Sequence, residues 1–248
     1  MKTEYQSIAG VPALVIGEAS ERAWLFVHGK LGCKEEALAF GELACPLGWQ
    51  VVGVDLPEHG SRKGSPEKLL PWTAMPELRA VYRAMGRCWR QISLRATSIG
   101  AWLAMLALQG QKPHRALFVS PVVDLVNLIE TMMTWAGVTE EELKQKGEIP
   151  TQFGETLSWD YLCWAREHPV HWRAPTEILY AGGDTLTSRA VIDSFSATSG
   201  SGLTVMENGE HWFHTEEQLQ VLRAWERRCL LSETAFPVEN SLSKSNRM

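Results

Sequence analysis

The sequence predicts an α/β protein: a mostly parallel sheet of about eight strands with helices on both faces. Three observations carry this expectation. Short apolar runs rich in Val, Leu and Phe recur along the 248 residues. Stretches with helical apolar spacing separate those runs, as crossover connections between parallel strands require. Ahead of the first run, segments 5–8 and 13–16 are joined across Gly10 and Val11 and read as an antiparallel hairpin on the sheet edge.

In order, the next strand is expected over 24–27, a helix over 34–44, a strand over 50–54 and a helix over 75–90. A strand over 92–97 leads directly into a helix over 99–108 that is apolar nearly all round, so it should be central and buried. Strands follow at 116–120, 177–181 and 203–206, with a helix at 187–195 between the last two. The final helix is expected over 216–230, since Thr215 and Gln218 have capping-box spacing and Leu219, Leu222, Trp225 and Cys229 then share one face.

One segment breaks the alternation. The strands ending at Ser120 and Ala181 are separated by far more chain than one crossover helix needs. Helices are expected there over 126–136, 140–146 and 158–167, the last ahead of Pro169 and Pro175. Residues 1–121 and 176–231 therefore read as the core, 122–175 as a helical cap over one end of the sheet, and 232–248 as a polar, frayed tail. The sequence contains no internal repeat.

Composition narrows the function classes. With 45% hydrophobic and 21% charged residues in 27.8 kDa, the chain can bury a sizeable core. A net charge of -5 and no basic run argue against a nucleic-acid partner. Residues 1–7 lack a signal-peptide core, and the longest apolar stretch, 101–108, is too short to span a bilayer, so a cytoplasmic, soluble protein is expected. Cys33, Cys45, Cys88, Cys163 and Cys229 are scattered without a C-x-x-C pair, which suggests free thiols rather than disulfides or zinc.

The sharpest chemical signal is Ala96-Thr97-Ser98-Ile99-Gly100, at a strand-to-helix turn. A serine there has its hydroxyl pushed outward by a strained backbone, and small neighbours two places away let the chain pass. The helix start behind it directs N–H groups at the same spot, which suits a developing oxyanion. A serine nucleophile needs a base, and an acid behind that base. His211, in the loop after the last expected strand, is the candidate base, and His214, beside the Thr215 cap, is its competitor. Asp184, directly after a strand, is the candidate acid, and Asp124 is the alternative, its other role being a helix cap. No further His or Cys cluster completes a metal site around His211 and His214, and no cofactor is called for.

The order Ser98, Asp184, His211 is that of the α/β-hydrolases, and the chain resembles that family from about Trp24 to Arg228. Leu25-Phe26-Val27-His28-Gly29-Lys30-Leu31-Gly32 is similar to the family's strand followed by an HGxxG turn. Val54-Asp55-Leu56-Pro57-Glu58-His59-Gly60-Ser61 is similar to its D-x-P-x-H-G loop. The resemblance implies that the backbone N–H groups of Lys30 and Ile99 form an oxyanion hole, and that His28 and His59 are structural. Ala96 departs from the usual first glycine of the elbow. A serine at 98 sets the chain apart from the aspartate-nucleophile branches and favours acyl transfer to water, from a small carboxylic ester or thioester. An aminopeptidase-type peptidase and a non-turnover receptor share the same scaffold.

Substrate choice must come from the cap and loops. Trp135, Trp159 and Trp164 are candidates to line an apolar acyl pocket, with packing between cap and sheet as the alternative role. Lys30, Arg62 and Lys63 are placed by the resemblance near the mouth, where they would attract a carboxylate or phosphate. The expected partner is a small-molecule acyl substrate. Oligomeric state is left open.

Overall fold

The computed structural model describes residues 1–232. The expected tail lies outside the described residues, except Ser232, which ends the last helix. The chain enters through β1 (Thr3–Ile8) and β2 (Val11–Ile16), then β3 (Arg22–Val27), α1 (Ala37–Ala44), β4 (Gln50–Val54), α2 (Pro71–Met85), β5 (Gln91–Thr97), α3 (Ser98–Ala107) and β6 (Ala116–Val119). Next come α4 (Leu125–Ala136), α5 (Glu140–Lys146), β7 (Glu148–Pro150), β8 (Thr156–Ser158) and α6 (Trp159–Glu167). The chain then returns to the main sheet with β9 (Thr176–Ala181), α7 (Arg189–Ser199), β10 (Gly202–Met206) and α8 (Glu216–Ser232).

Among the described residues the main sheet has eight strands in the order β1-β2-β4-β3-β5-β6-β9-β10. The pairs β1·β2 and β2·β4 are antiparallel and the rest are parallel, as the hairpin and the crossovers require. Alternation along the strands divides the core in two. Ala23, Leu25 and Val27 of β3 join the layer that includes α2, α3 and residues of α4–α6, while Trp24 and Phe26 join the layer with α1 and α8. Burial of strands on both faces explains why they read as continuous apolar runs. The helix behind Ser98 is buried over positions 100–107, as expected. Among the described residues no helix is long and apolar enough to cross a membrane.

Four expectations are corrected. Helix α2 runs Pro71–Met85 rather than over 75–90: Pro71 sits at its first turn, where the missing N–H costs nothing, and the chain turns away at Gly86. Helix α7 starts at Arg189 because the Ser188 side chain caps it and Thr187 is held elsewhere, and it continues to Gly200 in the left-handed region. Leu219 is exposed rather than on the packed face of α8, whose buried positions include the polar Gln218 and Glu226. The Thr215 hydroxyl accepts from the Gln218 N–H at 3.2 Å, but Gln218 reaches back to the N–H of His214 (3.1 Å), one place earlier than a capping box would. The β7·β8 hairpin was not expected, its strands being too short to show a period.

Candidate active site

The parallel strands deliver their loops to one edge, and β5 delivers Ser98. Its φ of 52° is in the left-handed region, which strains a residue with a side chain. A Cβ at Gly100 would lie 2.1 Å from the His28 carbonyl oxygen, and one at Gly29 would lie 3.3 Å from the Ser98 Cβ. Both glycines therefore allow the His28-Gly29-Lys30 turn to close on the elbow. Ala96, two places before Ser98, is fully buried with its methyl accommodated. The Ser98 carbonyl accepts a hydrogen bond from Val122 N–H at 3.2 Å, which ties the elbow to the chain leaving β6.

The loops after β9 and β10 interlock. Gly182 N–H donates to the Met206 carbonyl (2.8 Å) and Gly183 N–H to that of Gly209 (2.9 Å), an approach that a Cβ at Gly182, 2.4 Å from the Glu207 oxygen, would prevent. Asp184 follows, with its side chain fully buried. Its Oδ1 accepts from the N–H groups of Leu186 (2.8 Å) and Thr187 (3.1 Å), and Oδ2 faces His211 Nδ1 at 2.7 Å. With the proton on Nδ1 donated to Asp184, His211 Nε2 accepts from the Ser98 hydroxyl at 2.8 Å. Ser98, His211 and Asp184 thus form one continuous hydrogen-bonded series. Thr187, which the sequence reading missed, braces it further by donating from Oγ1 to the Pro121 carbonyl at 3.1 Å.

The competing residues lie elsewhere. Asp124 caps α4, its Oδ1 accepting from Asn127 N–H at 3.0 Å. His214 Nδ1 faces the Trp212 carbonyl at 2.7 Å and its ring stacks on Trp212. Lys30 follows Gly29, whose Cβ position approaches Ser98, and Ile99 lies in the first turn of α3. The Lys30 ammonium is paired with Glu155, from the turn between β7 and β8. Arg62 is also committed: its guanidinium holds Glu77 of α2 through bonds of 2.6 and 2.8 Å.

The motif histidines and Asp55 build the floor. His28 donates from Nδ1 to the Gly29 carbonyl (2.7 Å) and accepts at Nε2 from Leu56 N–H (3.1 Å), so it is neutral. His59 Nδ1 lies 2.7 Å from the Pro57 carbonyl. Burial pushes Asp55 up, but the Lys34 ammonium at 2.8 Å, with hydrogen bonds from Ser61 and the Lys34 backbone, holds its carboxyl below the usual range. Burial lowers the His28 pKa from 6.5 to about 4. The unfolded chain therefore binds the extra proton first, and stability is lost as pH falls from 6.5 towards 4. At about 1.4 kcal/mol per pKa unit, His28 should account for roughly 3 kcal/mol of that loss. Urea melts of wild type and His28→Gln across this range should differ in slope accordingly, and parallel curves would remove His28 from the acid response.

The candidate substrate tryptophans separate in space. Trp164 packs on Trp102 of α3 and on Trp72 of α2, with ring centroids 5.9 and 6.3 Å apart. Trp135 is 48% exposed and meets Phe153 edge-on, while Trp159 lies under the Lys144 ammonium. Of the three, Trp164 alone has a ring contact with the helix that begins at Ser98.

Gly100→Ala should be among the most damaging single-methyl changes, because backbone surrounds the methyl and cannot yield cheaply. Overpacking of this kind typically costs about 1–3 kcal/mol. The expected result is a lower Tm together with slower reaction of Ser98 with an active-serine probe; an unchanged probe rate would show that the His28 turn does not govern the elbow.

Comparisons place this architecture. No family model matches the chain, and no curated protein matches it either. Solved structures do. Est1E from Butyrivibrio proteoclasticus, with ferulic acid bound, is similar at 18% identity and a TM-score of 0.75 over 94% of this chain and 100% of that one. Alpha/beta hydrolase domain-containing protein 10 from mouse is similar at 15% identity and a TM-score of 0.74, with 94% and 100% covered. A thioesterase domain from the curacin biosynthetic pathway is similar at 16% identity and a TM-score of 0.57, with 93% and 99% covered. The chain has the α/β-hydrolase fold.

Proposed function

We propose that the protein is a serine hydrolase that cleaves a small carboxylic ester or thioester through an acyl-enzyme on Ser98. One observation carries the reading: Ser98 Oγ lies 2.8 Å from His211 Nε2, while Nδ1 of the same ring lies 2.7 Å from Asp184 Oδ2. In that arrangement His211 takes the serine proton as Oγ attacks the carbonyl carbon, then passes it to the departing alcohol or thiol. Asp184 fixes the tautomer and stabilises the imidazolium. The amides of Lys30 and Ile99 receive the oxyanion, and a water activated by His211 releases the acid. Among the similar folds, the names of the thioesterase domain and of an esterase from Pyrococcus furiosus agree with this chemistry.

Residues 122–175 act in this reading as a cap that selects the substrate. The test is covalent labelling by a fluorophosphonate, mapped to Ser98 by mass spectrometry, with a panel of esters, thioesters and aminoacyl amides on the same preparation. Amide turnover above ester turnover would favour a peptidase; labelling without hydrolysis of any member would favour a receptor.

Trp164 packs on the helix that begins at Ser98, which makes it the tryptophan on which the acyl-pocket reading is best tested. Trp164→Ala should favour longer acyl chains over shorter ones in kcat/KM, by about 1–3 kcal/mol per methylene accommodated. Trp135→Ala should leave the chain-length profile in place. If neither variant moves the profile while Trp164→Ala lowers the Tm, the tryptophans only pack the cap.

A further inference from the structure

Strand β5 is buried on both faces, yet one interior position carries a charge. Arg95 is 5% exposed and its partner, Glu226 of α8, is 3% exposed. The guanidinium donates from Nε to Glu226 Oε1 at 3.0 Å, Nη2 lies 2.9 Å from the same oxygen, and the group sits over the Phe26 ring. Arg95 Nη1 also donates to Thr97 Oγ1. Its neighbours in the strand register are Phe26 and Leu117, so this layer accepts apolar side chains. A buried ion pair is seldom more stable than such packing. Stability alone gives no reason for Arg95.

Its contacts do. Thr97 precedes Ser98, and its methyl lies 3.5 Å from where a Cβ on Gly29 would stand. The hydrogen bond from Arg95 fixes the Thr97 rotamer, so the methyl is held against the turn that carries Lys30. Glu226 belongs to the helix that begins just after the His211 loop. Glu36, whose carboxylate lies beside Gly32 of that turn, is pushed up by burial, and the Arg95 charge opposes that rise.

We infer that Arg95 is a positioning residue for the reaction at Ser98: its planar fork sets the elbow against both the oxyanion turn and the helix behind the base. The inference rests on the function proposed above. It requires the fork and not just the charge, so Lys cannot replace Arg.

The test uses the full chain and a fluorophosphonate probe, with the maximal labelling rate, the probe's half-saturating concentration and the Tm measured for Arg95→Lys, Thr97→Val and the double variant. Thr97→Val removes Oγ1 while keeping the shape, so it reads the same link even where Arg95→Lys fails to fold. Both single variants are expected to slow maximal labelling by about tenfold to a hundredfold, the range for a misplaced reacting group, with half-saturation unchanged. The double variant should be no slower than the worse single variant, because one link is broken twice. Wild-type labelling rates in folded variants would overturn the inference, as would additive losses or a change confined to half-saturation. Wild-type protein that does not label at Ser98 would overturn the hydrolase reading itself, a failure recognisable before any Arg95 variant is made.

Discussion

Ser98→Ala is expected to lower kcat by roughly 10⁴-fold or more while leaving the fold intact, the loss seen when a triad nucleophile is removed. The fold should tolerate the change because alanine accepts the same backbone as serine and only the bond to His211 Nε2 is lost. Turnover of the best ester in the panel and a melting curve on the same sample suffice. Wild-type turnover in this variant would end the proposal that Ser98 is the nucleophile. His211→Ala should match it, whereas His214→Ala should affect only stability, since His214 faces the Trp212 carbonyl and not Ser98.

Asp184→Asn should cut kcat by up to about 10⁴-fold, because an amide facing Nδ1 favours the imidazole tautomer that cannot accept the serine proton. The substitution is nearly isosteric, and Asn Oδ1 can still accept from Leu186 and Thr187, so folding should survive. Asp124→Asn provides the control. It keeps a good helix cap on α4 and should leave kcat unchanged. A deep loss in Asp124→Asn with normal turnover in Asp184→Asn would reverse the assignment of the acid.

The sheet and the elbow at Ser98 were legible in the sequence because each rests on local constraints, whereas the order Ser98, Asp184, His211 came from the resemblance, with His214 and Asp124 as alternatives until the structure joined the three. Apolar runs mark strands buried on both faces, and the elbow needs small residues at positions 96 and 100. What stayed hidden depends on partners far along the chain. Arg95 sits inside an apolar run and meets Glu226 across 131 positions, a pairing that periodicity cannot reveal. Thr187 looked like the start of a helix, but its N–H and hydroxyl serve Asp184 and Pro121. The β7·β8 hairpin has three residues per strand, less than any window can detect. The role of Trp164 depends on Trp72 and Trp102, which lie on two other helices.

The interlocked loops after β9 and β10 have a mechanical consequence. Backbone bonds from Gly182 and Gly183 join the Asp184 loop to the His211 loop, so carboxylate and imidazole share one support, and Thr187 links that support through Pro121 to the chain leaving β6, which also holds the Ser98 carbonyl. The hydrogen-bonded series of side chains is thus closed from behind by a path of main-chain bonds. In the function proposed above, the tautomer that accepts the serine proton depends on linked loops as well as on the one bond from His211 to Asp184.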